Sequence, residues 1–211
     1  MSYYPIMLDF AGMSCLVAGG GTIALHKASL LCEKDAKVTV IAPKIDPKIR
    51  KLPVTIQTRP VASEDVRDCF LVVDATADEE AERLLRDACK TYGAFYDSAC
   101  RVGDGTATFM AVYETGRTVV AVSTRGASPA ASVMLRDRLK TAIPDAMDEI
   151  LDCMAALRPL SRQSFSLQSD RKRFLYHALN AMLEKRAALT ESEIESIRNE
   201  IQTVKKEEDE R

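Results

Sequence analysis

The stretch over residues 15–31, CLVAGGGTIALHKASLL, constrains the fold more than any other. The apolar run Leu16, Val17, Ala18 meets three consecutive glycines, Gly19, Gly20 and Gly21, and an apolar-periodic segment of strong helix formers follows. That order predicts a strand, a tight turn and a helix N-terminus. Counted from Gly19, the pattern is G-x-G-x-x-A, with Gly19, Gly21 and Ala24 at the marked positions. In a dinucleotide-binding unit the first glycine permits the turn and the second lets the backbone approach a pyrophosphate. The small third residue lets the helix pack on the strand. The helix N-terminus then presents unpaired N–H groups and positive potential to phosphates. Gly19, Gly20, Gly21, Thr22, Ile23 and Ala24 are therefore the expected nucleotide contacts. A plain strand-to-helix turn has the same local pattern, so the surrounding elements decide.

Those elements alternate. Residues 37–42, KVTVIA, read as a second strand stopped by Pro43, and 54–58 as a third. Short helical pieces are expected over 48–52 and from Ser63, and a strand-like lead over 6–10. The run FLVVD at 70–74 has the continuous apolar character of a strand buried in a parallel sheet. Asp78, Glu79 and Glu80 open a helix that places Ala81, Leu84, Leu85 and Ala88 on one face and ends at Gly93. Residues 94–97 form the next strand. Alternation of this kind predicts an α/β class, a Rossmann-type parallel sheet with helices on both faces. Ligands gather at the carboxyl ends of such strands, which brings Ala42, Pro43, Thr76 and Ala77 beside the glycine turn. The acid that usually takes the ribose hydroxyls about 20 residues beyond the glycines is missing from VIAPK. The residues alone therefore do not separate NAD from NADP.

Beyond residue 107 the character changes. TVVAVST over 118–124 reads as a strand, followed by a loop through Arg125, Gly126 and Ala127. Ser128 is placed to cap a helix whose first residue is Pro129. A small-residue loop before a helix N-terminus is a second candidate anion site, and equally a capped helix without a ligand. After Pro144 the pattern is helical throughout. Met147, Ile150, Leu151, Met154 and Leu157 make one apolar stripe, and Phe174, Leu175, Ala178, Leu179 and Met182 another. Thr190 with Glu193 fits a capping box, Ile194, Ile197, Ile201 and Val204 continue as a narrow seam, and the tail KKEEDER is charged. The stripes are core packing.

Composition excludes several classes of function. A net charge of -2 leaves no basic footprint for nucleic acid. No apolar run approaches the ~20 residues that cross a bilayer, and the N-terminus MSYYPIMLDF lacks the basic and apolar regions of a signal peptide. A cytoplasmic location is expected. The six cysteines are scattered without a C-x-x-C pair, and His26 and His177 lie far apart, so no metal site is expected.

Three pieces together resemble one family: Pro5, Ile6, Met7 and Leu8 entering LVAGGGTIALHKASLL, the strand end VVDATAD, and VVAVSTRGASPAASVMLRDRL. They are similar to the precorrin-2 dehydrogenases of siroheme synthesis, which occur as stand-alone proteins and as the N-terminal module of multifunctional siroheme synthases. The resemblance implies NAD-dependent oxidation of precorrin-2, a tetrapyrrole, to sirohydrochlorin. It implies a homodimer with a Rossmann domain over 1–112, a dimerisation segment over 113–143 and a helical domain over 144–211. At this length no methyltransferase domain is expected. Some members of the family also insert ferrous iron into sirohydrochlorin, so a bifunctional dehydrogenase and ferrochelatase is the alternative. A non-catalytic NAD-sensing dimeric module is the alternative of another class. The family's functional aspartate corresponds to Asp104, with Asp97 second; a gapless count falls on Cys100 instead. Ser123, Thr124, Arg125, Gly126 and Ser128 are the expected holders of a substrate carboxylate. A serine that multifunctional members phosphorylate corresponds to Thr124.

Overall fold

The computed structural model describes residues 3–99, 101 and 105–209. The chain divides into two units, Met1–Met110 with Thr124–Ser128, and Ala111–Ser123 with Pro129–Arg211.

The first unit is built on five parallel strands: β1 (Ser14–Ala18), β2 (Lys37–Ile41), β3 (Thr55–Gln57), β4 (Leu71–Asp74) and β5 (Phe95–Ser98). Their spatial order is β3-β2-β1-β4-β5. β1 is central, with Ala18 level with Ile41 on one side and with Asp74 on the other. Four of its five residues are buried, as an apolar strand covered on both faces must be. One face carries α1 (Thr22–Cys32), whose Ala24, Ala28 and Leu31 pack on Cys15, Val17, Val40 and Val73. The other carries α2 (Glu79–Tyr92), whose Leu85, Ala88 and Cys89 pack on Leu16, Ala18, Val72 and Tyr96. Alternate residues of each strand thus serve opposite cores. The Asp78 carboxylate caps α2 by accepting from the N–H groups of Glu80 and Ala81. Gly93 closes it at φ 76.

One short expectation comes out differently. The lead over 6–10 is not a strand; Phe10 holds it by stacking edge-on against Phe70, and Gly12 N–H donates to Asp35 O. From Ser63 there is a single 3₁₀ turn, Ser63–Val66. Its Asp65 carboxylate takes the Ala62 N–H and the Arg59 guanidinium, and Asp68 turns the chain at φ 65 into β4. With only this turn between β3 and β4, a cavity of about 630 Å³ opens among Ser14, Lys37, Thr39, Thr55, Gln57 and Cys69. Most of these residues mark the amino ends of the strands, away from the glycine turn.

The second unit begins with the antiparallel hairpin β6 (Ala111–Thr115) and β7 (Thr118–Val122). Helix α3 (Pro129–Ala142) packs on both strands. α4 (Met147–Ser164), α5 (Gln168–Lys185) and α6 (Glu191–Asp209) follow. Their core joins Ile150 and Leu157 to Phe174, Ala178, Met182 and Ile201, which are the stripes read from the periodicity. Thr190 and Glu193 form the expected capping box, the Glu193 carboxylate accepting from the Thr190 N–H at 2.7 Å. Among the described residues no helix is long and apolar enough to cross a membrane.

The cysteines yield a pH prediction. Burial pushes the Cys15 thiol up to about 11 and the Cys89 thiol up to about 12, the neighbouring Cys69 adding to both. A thiol raised on folding stays protonated in the native state while the unfolded chain ionises near its ordinary value. Stability contributed by these two groups is therefore full below about pH 9 and falls as pH rises from there through about 11 for Cys15 and about 12 for Cys89. Cys89→Ala should flatten this alkaline decline in urea-denaturation midpoints measured from pH 7 to 11. An unchanged slope would show that the decline lies elsewhere.

Candidate functional site

The site grows from the end of β1. Gly19 sits at φ 121, a region closed to residues with a side chain, and its N–H donates to Ile41 O at 2.9 Å. A Cβ at Gly19 would lie 2.4 Å from Ala75 O, and one at Gly20 would lie 1.9 Å from Lys44 O. The loops after β4 and β2 thus close on the glycine turn by backbone alone. Gly20 O accepts the Asp46 N–H at 2.8 Å, which ties the second loop down.

Gly21 differs from its neighbours. It opens α1 as the N-cap, and a Cβ added to it would meet nothing within 4 Å. No side chain caps the helix there, and its first turn holds no acid. The first intrahelical bond at this end is Leu25 N–H to Gly21 O, so the N–H groups of Thr22, Ile23 and Ala24 have no helical acceptor. Ile23 is 48% exposed, whereas Ala24 is fully buried against the sheet. An open glycine beside an uncapped eleven-residue helix is a fitting cradle for a pyrophosphate.

The order β3-β2-β1-β4-β5 reverses the direction of winding between β1 and β4, so the crevice of this sheet lies there. Around it stand Gly19–Ala24 after β1, buried Ala42 and exposed Pro43 after β2, and Thr76 and Ala77 after β4. All the sequence-predicted nucleotide contacts therefore share one end of one sheet. Asp97 near the end of β5 is at the same end. Asp104 and Cys100 lie outside the described residues.

Asp97 is 3% exposed, and its Oδ2 receives the Lys27 ammonium of α1 at 3.0 Å. The same ammonium lies 3.8 Å from the centroid of the Phe109 ring. Lys27 is thereby held between a carboxylate and an aromatic face, both of which favour its charge. Asp74 at the end of β4 is 2% exposed. Its Oδ1 accepts from the Thr76 N–H at 2.9 Å and the Thr76 hydroxyl at 2.7 Å, and its Oδ2 from the Tyr96 hydroxyl at 3.0 Å. Burial, reinforced by the Asp74 charge, holds that phenol far above its usual range, so Tyr96 is a donor at any ordinary pH. Lys27, Asp74 and Tyr96 were not singled out by sequence. The signals were present: an acid ending the apolar run FLVVD, and a lysine three residues beyond Ala24 on the packing side of α1.

The candidate substrate loop runs on from β7 through Ser123. The Thr124 hydroxyl donates to Ser128 O at 2.9 Å and accepts the Ser128 N–H at 3.1 Å, while the Ala127 N–H donates to Thr124 O. Arg125 occupies φ 52 and Gly126 φ 81. The loop is a closed turn, pinned by Thr124 and delivering Pro129 as the first residue of α3.

A family model described as putative NAD(P)-binding matches residues 6–111. A siroheme synthase of Nitrosococcus oceani is 30% identical over 190 residues, covering 88% of this chain and 41% of that protein. The chain thus spans about two fifths of the siroheme synthases it matches. A precorrin-2 dehydrogenase of Priestia megaterium is 32% identical over 150 residues, covering 69% of this chain and 72% of that protein. Among solved structures, SirC, a precorrin-2 dehydrogenase, shares the fold with a TM-score of 0.66 at 23% identity, over 95% of this chain and 100% of that one.

Two substitutions test the geometry. Gly20→Ala should weaken nicotinamide-nucleotide binding by at least about tenfold, because its Cβ displaces the Lys44 carbonyl. Wild-type affinity in a fluorescence titration would remove the close-approach argument. Lys27→Met should cost about 3 kcal/mol in denaturant unfolding, since it strands a buried carboxylate, and Lys27→Met with Asp97→Leu should recover most of that loss. A double variant as unstable as the single one would contradict the pairing.

Proposed function

We propose that this chain, which belongs to the family of precorrin-2 dehydrogenases and siroheme synthases, oxidises precorrin-2 to sirohydrochlorin with NAD as acceptor. The observation that carries the nucleotide half of this reading is the uncapped N-terminus of α1 behind Gly21, at the point where the sheet reverses. The macrocycle half rests on the family and on the closed loop over 123–128. Oxidation removes two electrons and two protons' worth of hydrogen from the substrate: one hydride, which a nicotinamide ring accepts when bound, and one proton.

The protein's own residues have three tasks. The first is to hold the nucleotide, which falls to Gly19–Ala24 with Ala42, Pro43, Thr76 and Ala77 around them. The choice of NAD follows the family resemblance, since Ala42, Pro43 and Lys44 after β2 supply no acid for a ribose. The second is to take the proton. Asp104 is the assigned acceptor; Asp97 is second because its carboxylate already belongs to Lys27, and it would have to exchange that partner for the substrate. The third is to hold a substrate rich in carboxylates, assigned to Ser123, Thr124, Arg125, Gly126 and Ser128, with Arg125 supplying positive charge.

The chain is further assigned to a cytoplasmic homodimer that associates through the segment over 113–143. Val112, Val119, Met134 and Leu139 are all more than a third exposed on the hairpin and α3, and a two-stranded sheet gains stability by being covered.

The decisive assay is anaerobic. Precorrin-2 and NAD with the protein should give sirohydrochlorin and reduced nicotinamide in equal amounts. Asp104→Ala should lower kcat by about a hundredfold or more with nucleotide affinity retained. No turnover by the wild type would reject the dehydrogenase in favour of a nucleotide-sensing module, and full activity of Asp104→Ala would reject the assigned acid. Ferrous iron added to sirohydrochlorin separates a bifunctional enzyme from a dehydrogenase alone, since only the former exceeds the protein-free rate.

A further inference from the structure

We infer that Asp74 is a positioning residue for the nucleotide: through Thr76, its buried carboxylate holds the 75–77 loop in the form that closes on the glycine turn. The inference rests on the nucleotide-binding reading above and assigns the residue that sets the far wall of that site.

The loop is short and its two ends are fixed. At one end the Ala75 N–H donates to Ala18 O at 2.7 Å, extending the β1–β4 ladder by one bond. At the other, Asp78 caps α2. Between them the chain turns sharply, and Ala77 is driven to φ 57, a left-handed conformation disfavoured for alanine. Such a conformation persists where the surroundings over-determine it, and such residues gather at ligand clamps. Asp74 supplies the determination. Its Oδ1 takes both donors of Thr76, the N–H and the hydroxyl. The Thr76 oxygen in turn accepts the Asp78 N–H at 3.2 Å. Oδ2 is anchored on Tyr96, itself 1% exposed in the core beneath α2. A continuous chain of hydrogen bonds thus runs from the β5 core through Asp74 and Thr76 to the start of α2.

Among the described residues, the three donors on Asp74 are all neutral. Burying a carboxylate on neutral donors is costly unless its lone pairs are filled, and here the loop fills Oδ1 and Tyr96 fills Oδ2. The Ala75 carbonyl at the start of this loop is the atom that leaves no room for a side chain at Gly19. Loosening the loop therefore loosens the wall opposite Gly21. The same bonds redefine Thr76. With its N–H and O–H both given to Asp74, it shapes the wall and has no polar hydrogen left to donate.

The test compares nucleotide affinity with stability. Kd for NADH, from fluorescence titration, and Tm are measured for wild type, Asp74→Ala, Asp74→Asn, Thr76→Val, Thr76→Ser and the double variant Asp74→Ala with Thr76→Val. Asp74→Ala and Thr76→Val should each weaken binding by about tenfold. Asp74→Asn keeps an acceptor for Thr76, and Thr76→Ser keeps the hydroxyl, so both should bind within about threefold of wild type. The double variant should bind no more weakly than the single ones, because the two residues act in series. Should Asp74→Ala not fold, the Thr76→Val and Thr76→Ser pair decides, as Thr76 lies only partly buried on the loop. Wild-type affinity in Thr76→Val overturns the inference. So does Asp74→Asn failing as badly as Asp74→Ala, which would make the charge rather than the hydrogen bonds responsible. If the wild type binds neither NADH nor NADPH, the nucleotide reading itself falls, a result distinct from a wild type that binds and variants that do not differ.

Discussion

Two backbone carbonyls set the terms for everything at the carboxyl end of the sheet. Ala75 O and Lys44 O approach the Gly19–Gly20 turn so closely that a Cβ at either position would sit 2.4 and 1.9 Å from them. Three chain segments, from the ends of β1, β2 and β4, can meet there only if one of them has no side chains. Just beyond that meeting point α1 opens at Gly21, its N-cap, which faces open space. Its first N–H groups are then left to whatever occupies the crevice. The open, uncapped helix end lies where the strands' outgoing loops pack most tightly, and a capping side chain there would fill that space.

The two buried acids near this end are stabilised in opposite ways. Asp97 is paired with a cation, Lys27, whose charge is further supported by Phe109. Among the described residues Asp74 has neutral donors alone, drawn from the loop it organises and from Tyr96. They sit on adjacent strands, Asp97 level with Val73 and Asp74 level with Ser98. A salt-bridged acid ties helix to sheet; a hydrogen-bonded acid ties loop to sheet. Neither carboxylate is open to solvent.

How much of this was legible in the sequence depends on the range of the interaction involved. The parallel sheet was readable because LVA and FLVVD are apolar on both faces, and the helices because their stripes repeat at helical spacing. The glycine turn was readable because its spacing is set by local geometry. The lead over 6–10 is strand-like in sequence, but among the described residues no strand pairs with it. The short helical piece expected from Ser63 is one 3₁₀ turn, with Asp65 accepting the Ala62 N–H at its start. Lys27 and Tyr96 were invisible for a different reason. Their partners lie 70 and 22 residues away, and only the folded register brings them together. Within the site, the glycine turn and the strand ends around it are legible in the sequence, and the side chains that tie them together are not.

The most direct test of the account is a map of which amides respond to the nucleotide. In ¹⁵N-edited NMR spectra of the protein titrated with NAD, the largest shifts should fall on Gly21, Thr22 and Ile23, with a second group at Thr76 and Ala77 across the crevice. Shifts confined to the cavity at the amino ends of the strands, around Lys37 and Thr55, would contradict it, because they would place the ligand at the wrong end of the sheet.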